Sequence, residues 1–241
     1  MATDVLGEAL LDFQGGNYTE DVKTILTLSN QLEEEKDILP LPYLFRRFQE
    51  MPALEKEALK NCRGTVLDIG CGAGNHSLYL QEKGMHVTAL DASRGAVETC
   101  KLRGVKKCFH SKITDFKGLR FDTLLLLMNG IGIAGTLKKL AVLLNHLKTL
   151  LNPGGQILLD SSDIIYMFDQ DEGGGHWLPF GDSYYGEVIF RMEYKRKSSE
   201  PFEWLYLDYN TLSRVAQANN LLCELVSEGE HYDYLARITS K

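Results

Sequence analysis

Val66-Leu67-Asp68-Ile69-Gly70-Cys71-Gly72-Ala73-Gly74 runs from an apolar stretch, through one acidic residue, into three alternate glycines. The apolar stretch reads as a buried strand, Thr65 to Ile69, and the residues from about Asn75 read as a helix that closes at Gly84. The glycines therefore occupy a strand-to-helix turn, where the backbone can approach a ligand because no Cβ fills the space. Nucleotide sites in general use such turns. The dinucleotide pattern, however, is GxGxxG, whereas these glycines run GxGxG and Asn75 stands at the third position. A pyrophosphate prefers bare amides at a helix N-terminus, and Asp68 sets a negative charge beside them. A ligand carrying a free ammonium gains from that carboxylate.

Working outward, short apolar runs alternate with helix-length amphipathic segments from Thr65 onward, which predicts an α/β fold with a doubly wound, mainly parallel sheet. The second strand is read as His86 to Leu90. A helix capped by Ser93 ends near Arg103 and Gly104, and Val105 to His110 gives the third strand. Phe121 to Met128 is apolar apart from Asp122 and Thr123, as a central strand covered on both faces should be. Thr136 caps a helix to Leu151, and Asn152-Pro153-Gly154-Gly155 turns the chain into a fifth strand, Gln156 to Asp160.

Residues 161–208 form a long insertion with Gly173-Gly174-Gly175 and two strand-like stretches, Glu187 to Arg196 and Phe202 to Leu207, and its length points to a binding role. A helix near Tyr209 to Asn219 then precedes the strands Leu221 to Ser227 and Tyr232 to Thr239. Residues 1–63 read as a helical, acidic cap (Glu33, Glu34, Glu35), with Pro42 and Pro52 each opening a short helix; the cap belongs to the same domain as residues 64–241.

Composition narrows the function classes. The 241 residues are 44% hydrophobic and 24% charged, the balance of a globular domain. A net charge of −7 supplies no positive field for nucleic acid, which disfavours it as a substrate. The basic cluster Lys195, Arg196 and Lys197 reads as a solvated hairpin end. Cys62, Cys71, Cys100, Cys108 and Cys223 show neither a disulfide framework nor zinc-ligand spacing, so reduced thiols and no metal are expected. The longest apolar run, Thr123 to Met128, is too short to span a bilayer, and the N-terminal residues do not fit a secretory signal, so a cytoplasmic location is expected.

Asp91 ends the second strand roughly twenty residues after the glycines, where a carboxylate accepts both hydrogen bonds of a ribose diol. With Asp68 and the GxGxG turn, this favours S-adenosylmethionine (SAM) over NAD. Here the sequence resembles the class I SAM-dependent methyltransferases: VLDIGCGAG is similar to their first motif, ALDAS to their second-strand motif and LNPGGQILLD to their late motif. The resemblance implies a Rossmann-like sheet of order 3-2-1-4-5-7-6 with the last strand antiparallel. It also implies SAM as cofactor and S-adenosylhomocysteine as product. By position it places Asp68 near the methionine ammonium, Gly70, Cys71 and Gly72 along the cofactor, Asp91 on the ribose and Ala92 beside the adenine. Family members often hold the adenine with an Asp after strand three; here Lys112 and Ile113 stand there and Asp115 is displaced, which leaves backbone groups around Ile113 for that contact.

The substrate mouth is expected at the carboxyl ends of strands four and five, Asn129-Gly130-Ile131-Gly132 and Asp160-Ser161-Ser162-Asp163. Asn129 reads either as a group orienting the substrate or the methionine end, or as a turn residue tolerating a left-handed backbone. Its NGIG context lacks the Asn/Asp-Pro-Pro-aromatic motif of the family's nucleobase and glutamine enzymes. His176, beside Trp177, is the histidine placed to act as a base or to sit exposed in its loop. His76 reads as a packing or capping residue, and Tyr43, Arg46, Arg47, Tyr166, Tyr184 and Tyr185 as residues that either shape a pocket or serve the core and surface. The function expected is methyl transfer from SAM by in-line displacement to a small-molecule acceptor. The alternatives are a SAM-binding module without turnover and an NAD-dependent oxidoreductase.

Overall fold

The computed structural model describes residues 3–28, 34–169, 173, 175, 176 and 183–241. Along the chain come α1 (Val5–Gln14), β1 (Val22–Leu28), β2 (Glu34–Leu39), α2 (Leu41–Leu44) and α3 (Ala53–Asn61). The alternating unit follows as β3 (Thr65–Ile69), α4 (Asn75–Glu82), β4 (His86–Asp91), α5 (Arg94–Leu102), β5 (Cys108–His110), β6 (Phe121–Leu126), α6 (Leu137–Thr149) and β7 (Leu151–Ser162). Then come β8 (Glu187–Tyr194), β9 (Lys197–Ser198), β10 (Phe202–Leu205), α7 (Tyr209–Ala218), β11 (Leu221–Glu228) and β12 (Asp233–Ser240).

The main sheet has seven strands in the order β11-β12-β7-β6-β3-β4-β5. Counted in chain order these are strands 6-7-5-4-1-2-3, the expected order seen from its other edge. β3 to β7 are mutually parallel, and β12 enters antiparallel between β7 and β11. Successive side chains of a strand face opposite ways. Leu67, Leu124, Leu126, Ile157 and Leu159 accordingly pack with Leu140, Leu144 and Leu147 of α6, whereas Val66, Leu125 and Leu158 pack with Leu59 of α3 and Leu80 of α4. Burial of both faces explains why these strands read as continuous apolar runs.

Ser93 and Thr136 cap their helices as expected, accepting from the N–H groups of Ala96 and Lys139. The third strand is shorter than expected, because Val105 packs against Cys100 below the glycine turn before β5 begins at Cys108. The fifth is longer, with β7 starting at Leu151, where Leu151 pairs with Phe121 across a register shift.

The helical reading of residues 1–63 is corrected. Val22–Leu28 and Glu34–Leu39 are antiparallel strands, and β1 also pairs with β8, Lys23 facing Glu193 and Leu28 facing Val188. β10 pairs with the other side of β8, giving a second sheet β10-β8-β1-β2. The partner that makes β1 a strand lies more than a hundred and fifty residues downstream, and it buries Val22, Ile25 and Leu28. Tertiary pairing of this kind overrides local propensity. The acidic Glu34 and Glu35 belong to an exposed strand, and Glu33 lies outside the described residues. Pro52 occupies the N-cap of α3, and Pro42 sits inside the first turn of α2, whose N-cap is Pro40. The second sheet meets the main sheet at the carboxyl edge of β6 and β7. There Asn129 Nδ2 donates to Leu205 O at 3.2 Å and Leu207 N donates to Ser161 Oγ at 3.0 Å.

α1 is fixed to α5 by one carboxylate. Asp4 caps its own helix through Gly7 N at 3.0 Å and accepts Ser93 Oγ at 2.9 Å and Gly95 N at 3.0 Å. Asp4→Ala removes a cap and two bonds between elements, so urea unfolding should show a loss of about 1–2 kcal/mol. A change under about 0.3 kcal/mol would mean that α1 is held by apolar packing alone.

Candidate active site

The glycine-rich turn leaves β3 with Asp68 buried beneath it, its Oδ2 accepting Ser77 Oγ at 2.6 Å. Burial raises the Asp68 carboxyl above the usual carboxylate range, against the lowering pull of His76 and Ser77. Gly70, Gly72 and Gly74 all have positive φ, 73°, 52° and 82°. They do different work. A Cβ on Gly74 would lie 2.8 Å from Cys100 Sγ, so this glycine lets α4 pack against α5. A Cβ on Gly72 would meet nothing within 4 Å, and one on Gly70 only Ile133 Cδ1 at 3.5 Å. These two face open space that a ligand can fill and a side chain would occupy. Cys71 is buried with its Sγ 3.6 Å from Cys100 Sγ, and burial with that contact holds its thiol well above the ordinary value, as suits a packing residue.

Asp91, at the end of β4, closes the turn. Its Oδ2 accepts Gly72 N at 2.9 Å and its Oδ1 accepts Ser93 N at 2.8 Å. Each oxygen keeps capacity for a further donor. Burial raises this carboxyl, opposed by the two amides. Ala92 is exposed beside it, and its carbonyl pairs with His110 Nε2 at 3.0 Å. Beyond β5 the chain makes a single 3-10 turn, Ile113–Asp115, with Ile113 buried and Lys112, Thr114 and Asp115 exposed. The Ile113 carbonyl is taken by His146 Nε2 at 2.7 Å. His110 and His146 thus have partners that no local pattern announced.

At the end of β6 the chain takes an unusual path. Met128 and Asn129 are consecutive non-glycine residues with φ 62° and 55°, a conformation that carries a steric cost and needs support. Asp160 provides it from the end of β7. Its two oxygens accept Met128 N at 3.0 Å and Asn129 N at 2.8 Å. Burial raises the Asp160 carboxyl to about 7, opposed by the amides of Met128, Asn129 and Gly130 and reinforced by the charge of Glu55. The Asn129 side chain is committed to Leu205 O and to Ser161 Oγ, which donates to Asn129 Oδ1 at 2.7 Å. Met128, by contrast, is exposed at this edge.

Past β7, Asp163 Oδ1 accepts Tyr185 Oη at 2.6 Å and Asp163 N donates to Tyr232 O at 2.9 Å. Tyr166 and Tyr232 stack at 5.5 Å and are both largely exposed. His176 Nδ1 lies 2.9 Å from Phe168 O, which places the ring proton on Nδ1. Its expected neighbour Trp177, like Gly174, lies outside the described residues.

One cluster was not legible. Arg46, Glu55 and His76 form a buried ionic chain: Arg46 Nη2 donates to Glu55 Oε1, and Glu55 Oε2 lies 2.7 Å from His76 Nε2. Arg46 also lies over the Tyr43 ring, Cζ 3.8 Å from its centroid. Burial pushes the His76 imidazole down, but its bond to Glu55 and the charges of Asp68 and Glu55 outweigh this, and the net shift is upward. Glu55 lies below the usual carboxylate range despite burial, held there by His76 and Arg46. The segment before Arg46 is tied to the glycine turn, since Asn75 Nδ2 donates to Leu44 O at 2.6 Å and Arg103 donates to Ala73 O at 2.5 Å while stacking on Phe45. No motif marks Glu55. Sequence spacing alone does not bring α3 beside α4.

Comparison with known proteins bears on this edge. A profile of the methyltransferase domain matches residues 42–213. A cypemycin N-terminal methyltransferase of a Streptomyces species is 33% identical over 103 residues; the match spans 41% of this chain and 42% of that relative's length. Among solved structures, a SAM-dependent methyltransferase from Bacteroides fragilis, in complex with S-adenosyl-L-homocysteine, superposes with a TM-score of 0.88 and 43% identity over 98% of this chain and 94% of that one. The PH0226 protein of Pyrococcus horikoshii OT3 shares the fold with a TM-score of 0.58 at 19% identity, over 78% of this chain and 88% of its own.

Two measurements test the geometry. Gly72→Ala should cost about 1 kcal/mol of stability, the left-handed penalty alone, while weakening nucleoside binding at least tenfold; Gly74→Ala should cost more stability because of the Cys100 contact. Equal losses in both would show that Gly72 is not at a ligand surface. For His76 the folded pKa is raised, so its contribution is complete below the unfolded value near 6.5 and lost as pH rises through the folded value. His76→Gln should therefore destabilise by about 3 kcal/mol at pH 6 and by less at pH 9. A gap that widens with pH contradicts the ion pair.

Proposed function

The chain belongs to the methyltransferase domain family, SAM-dependent enzymes of the class I Rossmann-like type, and from that premise we propose that it transfers a methyl group from SAM to the amino group of a small acceptor. The observation that carries the cofactor assignment is the pairing of the open, positive-φ Gly70 and Gly72 with Asp91, whose carboxylate holds the turn and keeps capacity for a diol. When bound, SAM supplies a methyl group activated by a sulfonium and displaced in line by the acceptor. Gly70, Cys71 and Gly72 would line it, Asp91 would take the ribose hydroxyls, Asp68 would balance the ammonium through the turn, and Ala92 with the Ile113–Thr114 backbone would border the adenine.

On the acceptor side, Asp160 holds the Met128–Asn129 turn in its left-handed path, which fixes the floor against which an acceptor must align. Asn129 acts in this reading as a positioning residue that ties the floor to the second sheet. Asp163, with Tyr166, Tyr185 and Tyr232 gathered about it, gives this edge a carboxylate and aromatic faces, the surroundings that favour a cation. The cypemycin enzyme is named for an N-terminal, and so amino, acceptor. An ammonium must lose its proton before attack. His176, whose Nδ1 donates to Phe168 O, is the candidate to receive it. The acidic chain, net charge −7, supports a small acceptor over nucleic acid.

S-adenosylhomocysteine at one hundred times its Kd should raise the melting temperature by roughly 5–10 °C, and Asp91→Ala should abolish the shift. Tritiated methyl from SAM should appear in members of a primary-amine panel and not in matched carboxylic acids or phenols. A shift with NADH and none with SAM would overturn the cofactor assignment. Label confined to phenols would overturn the acceptor class.

A further inference from the structure

Thr65, His86 and Phe121 open β3, β4 and β6, so they lie at the edge of the main sheet opposite the glycine-rich turn. A cavity of about 380 Å³ lies among them. Small-molecule pockets run from about 300 to 1,000 Å³, and a ligand of modest size fits here. Lys106, Lys107, Arg120 and His86 contribute to its wall, and among the described residues no carboxylate does. Nor does Lys106, Lys107 or Arg120 enter a salt bridge with a described residue. Lys107 only lies over the Phe109 ring, Nζ 5.7 Å from its centroid. Asp122, the neighbour of Phe121, is already engaged: its Oδ2 accepts Thr65 N at 2.7 Å and Thr65 Oγ1 at 2.8 Å, and its Oδ1 accepts Asn152 Nδ2 at 2.9 Å. A chain with 33 acidic residues against 26 lysines and arginines thus carries a concave surface of one positive sign. Such a surface focuses its field and attracts anions.

The fold holds this surface in place. Gln81, at the end of α4, braces the loop that carries the lysines, its Nε2 donating to Gly104 O at 3.0 Å and its Oε1 accepting Lys106 N at 3.0 Å. Lys107 O accepts Ala89 N at 2.9 Å, which sets the same loop beside β4. Thr65 pairs with His86 and Leu67 with Thr88, so His86 and Thr88 share one face of the sheet. Thr88 lines the cavity and is 3% exposed, and its hydroxyl has no hydrogen-bond partner among the described residues. A buried hydroxyl left so is unfavourable, and a ligand that bonds to it removes the cost. Met85, Leu119 and Phe121 add apolar wall. The ligand these features match has a compact, strongly anionic head on a small apolar body. A phosphate monoester carries about −1.5 to −2 charge near pH 7 and three acceptor oxygens, enough to meet cations that arrive from two separate loops.

We propose that this cavity binds a small organic phosphate, with the phosphate held by Lys106, Lys107 and Arg120, the body against Met85, Leu119 and Phe121, and the Thr88 hydroxyl bonded to the ligand. The site is at the far edge of the sheet from the turn assigned to the cofactor and does not depend on that assignment.

The test titrates phenyl phosphate, inorganic phosphate and phenol into the full chain by calorimetry, with and without saturating S-adenosylhomocysteine. Phenyl phosphate should bind at least about fivefold tighter than inorganic phosphate, through burial of its ring, and phenol should not bind detectably. Lys106→Gln/Lys107→Gln/Arg120→Gln should weaken phenyl phosphate at least about tenfold and leave the melting shift with S-adenosylhomocysteine as in wild type. Thr88→Val, which keeps the shape and removes the hydroxyl, should weaken it about threefold. Affinity unchanged in either variant places the ligand elsewhere and overturns the proposal, as does competition by S-adenosylhomocysteine, which would put the phosphate at the glycine-rich turn. Phenol binding as tightly as phenyl phosphate, or a wild type that binds no phosphate at millimolar concentration, overturns it as well.

Discussion

The Asp91 carboxylate is the constraint on which the glycine-rich edge, proposed above to hold the cofactor, depends. By accepting Gly72 N with one oxygen and Ser93 N with the other, it joins the turn after β3 to the turn after β4. Around this link the molecule is arranged in tiers. Asp68 and Ser77 hold the turn from below, Gly74 allows α4 to close on Cys100, and Asp4 brings α1 against Ser93 and Gly95. Neighbouring carboxylates in so confined a space repel one another, and the charges of Asp4 and Asp68 both disfavour ionised Asp91. Amides and hydroxyls pointed at the acids offset that repulsion.

The edge proposed for the acceptor depends on a second carboxylate used the same way. Asp160 collects the amides of two successive left-handed residues, and this explains how Met128 and Asn129 stay in a conformation that isolated residues avoid. Ser161, one residue on, bridges Asn129 to Leu207 and so connects the Met128–Asn129 turn to the segment between β10 and α7. The second sheet is therefore part of that edge's construction. It is assembled from the N-terminal hairpin and the insertion after β7, so residues near the start of the chain and residues near position 190 reach the same edge together.

The sequence made the main sheet readable because its strands are buried on both faces and its turns carry glycines whose backbone angles are forced. Asp68 and Asp91 were legible for the same reason: each lies at a fixed offset from a strand end. What the sequence hid depends on distant partners. β1 looks helical until β8 pairs with it, and Glu55 is an unremarkable acid on α3 until Arg46 and His76 close on it. Asn129 was legible as a special backbone position, but its side-chain partners come from β10 and β7, and no local pattern encodes them.

A crystal structure of the chain grown with S-adenosylhomocysteine tests the Asp91 and glycine-turn assignment directly. The expected result is ligand density running over Gly70 and Gly72, with both ribose hydroxyls within hydrogen-bond distance of Asp91 and the adenine against Ala92 and the Ile113 turn. Ligand density found elsewhere, or an Asp91 carboxylate turned away from the ribose, would contradict it.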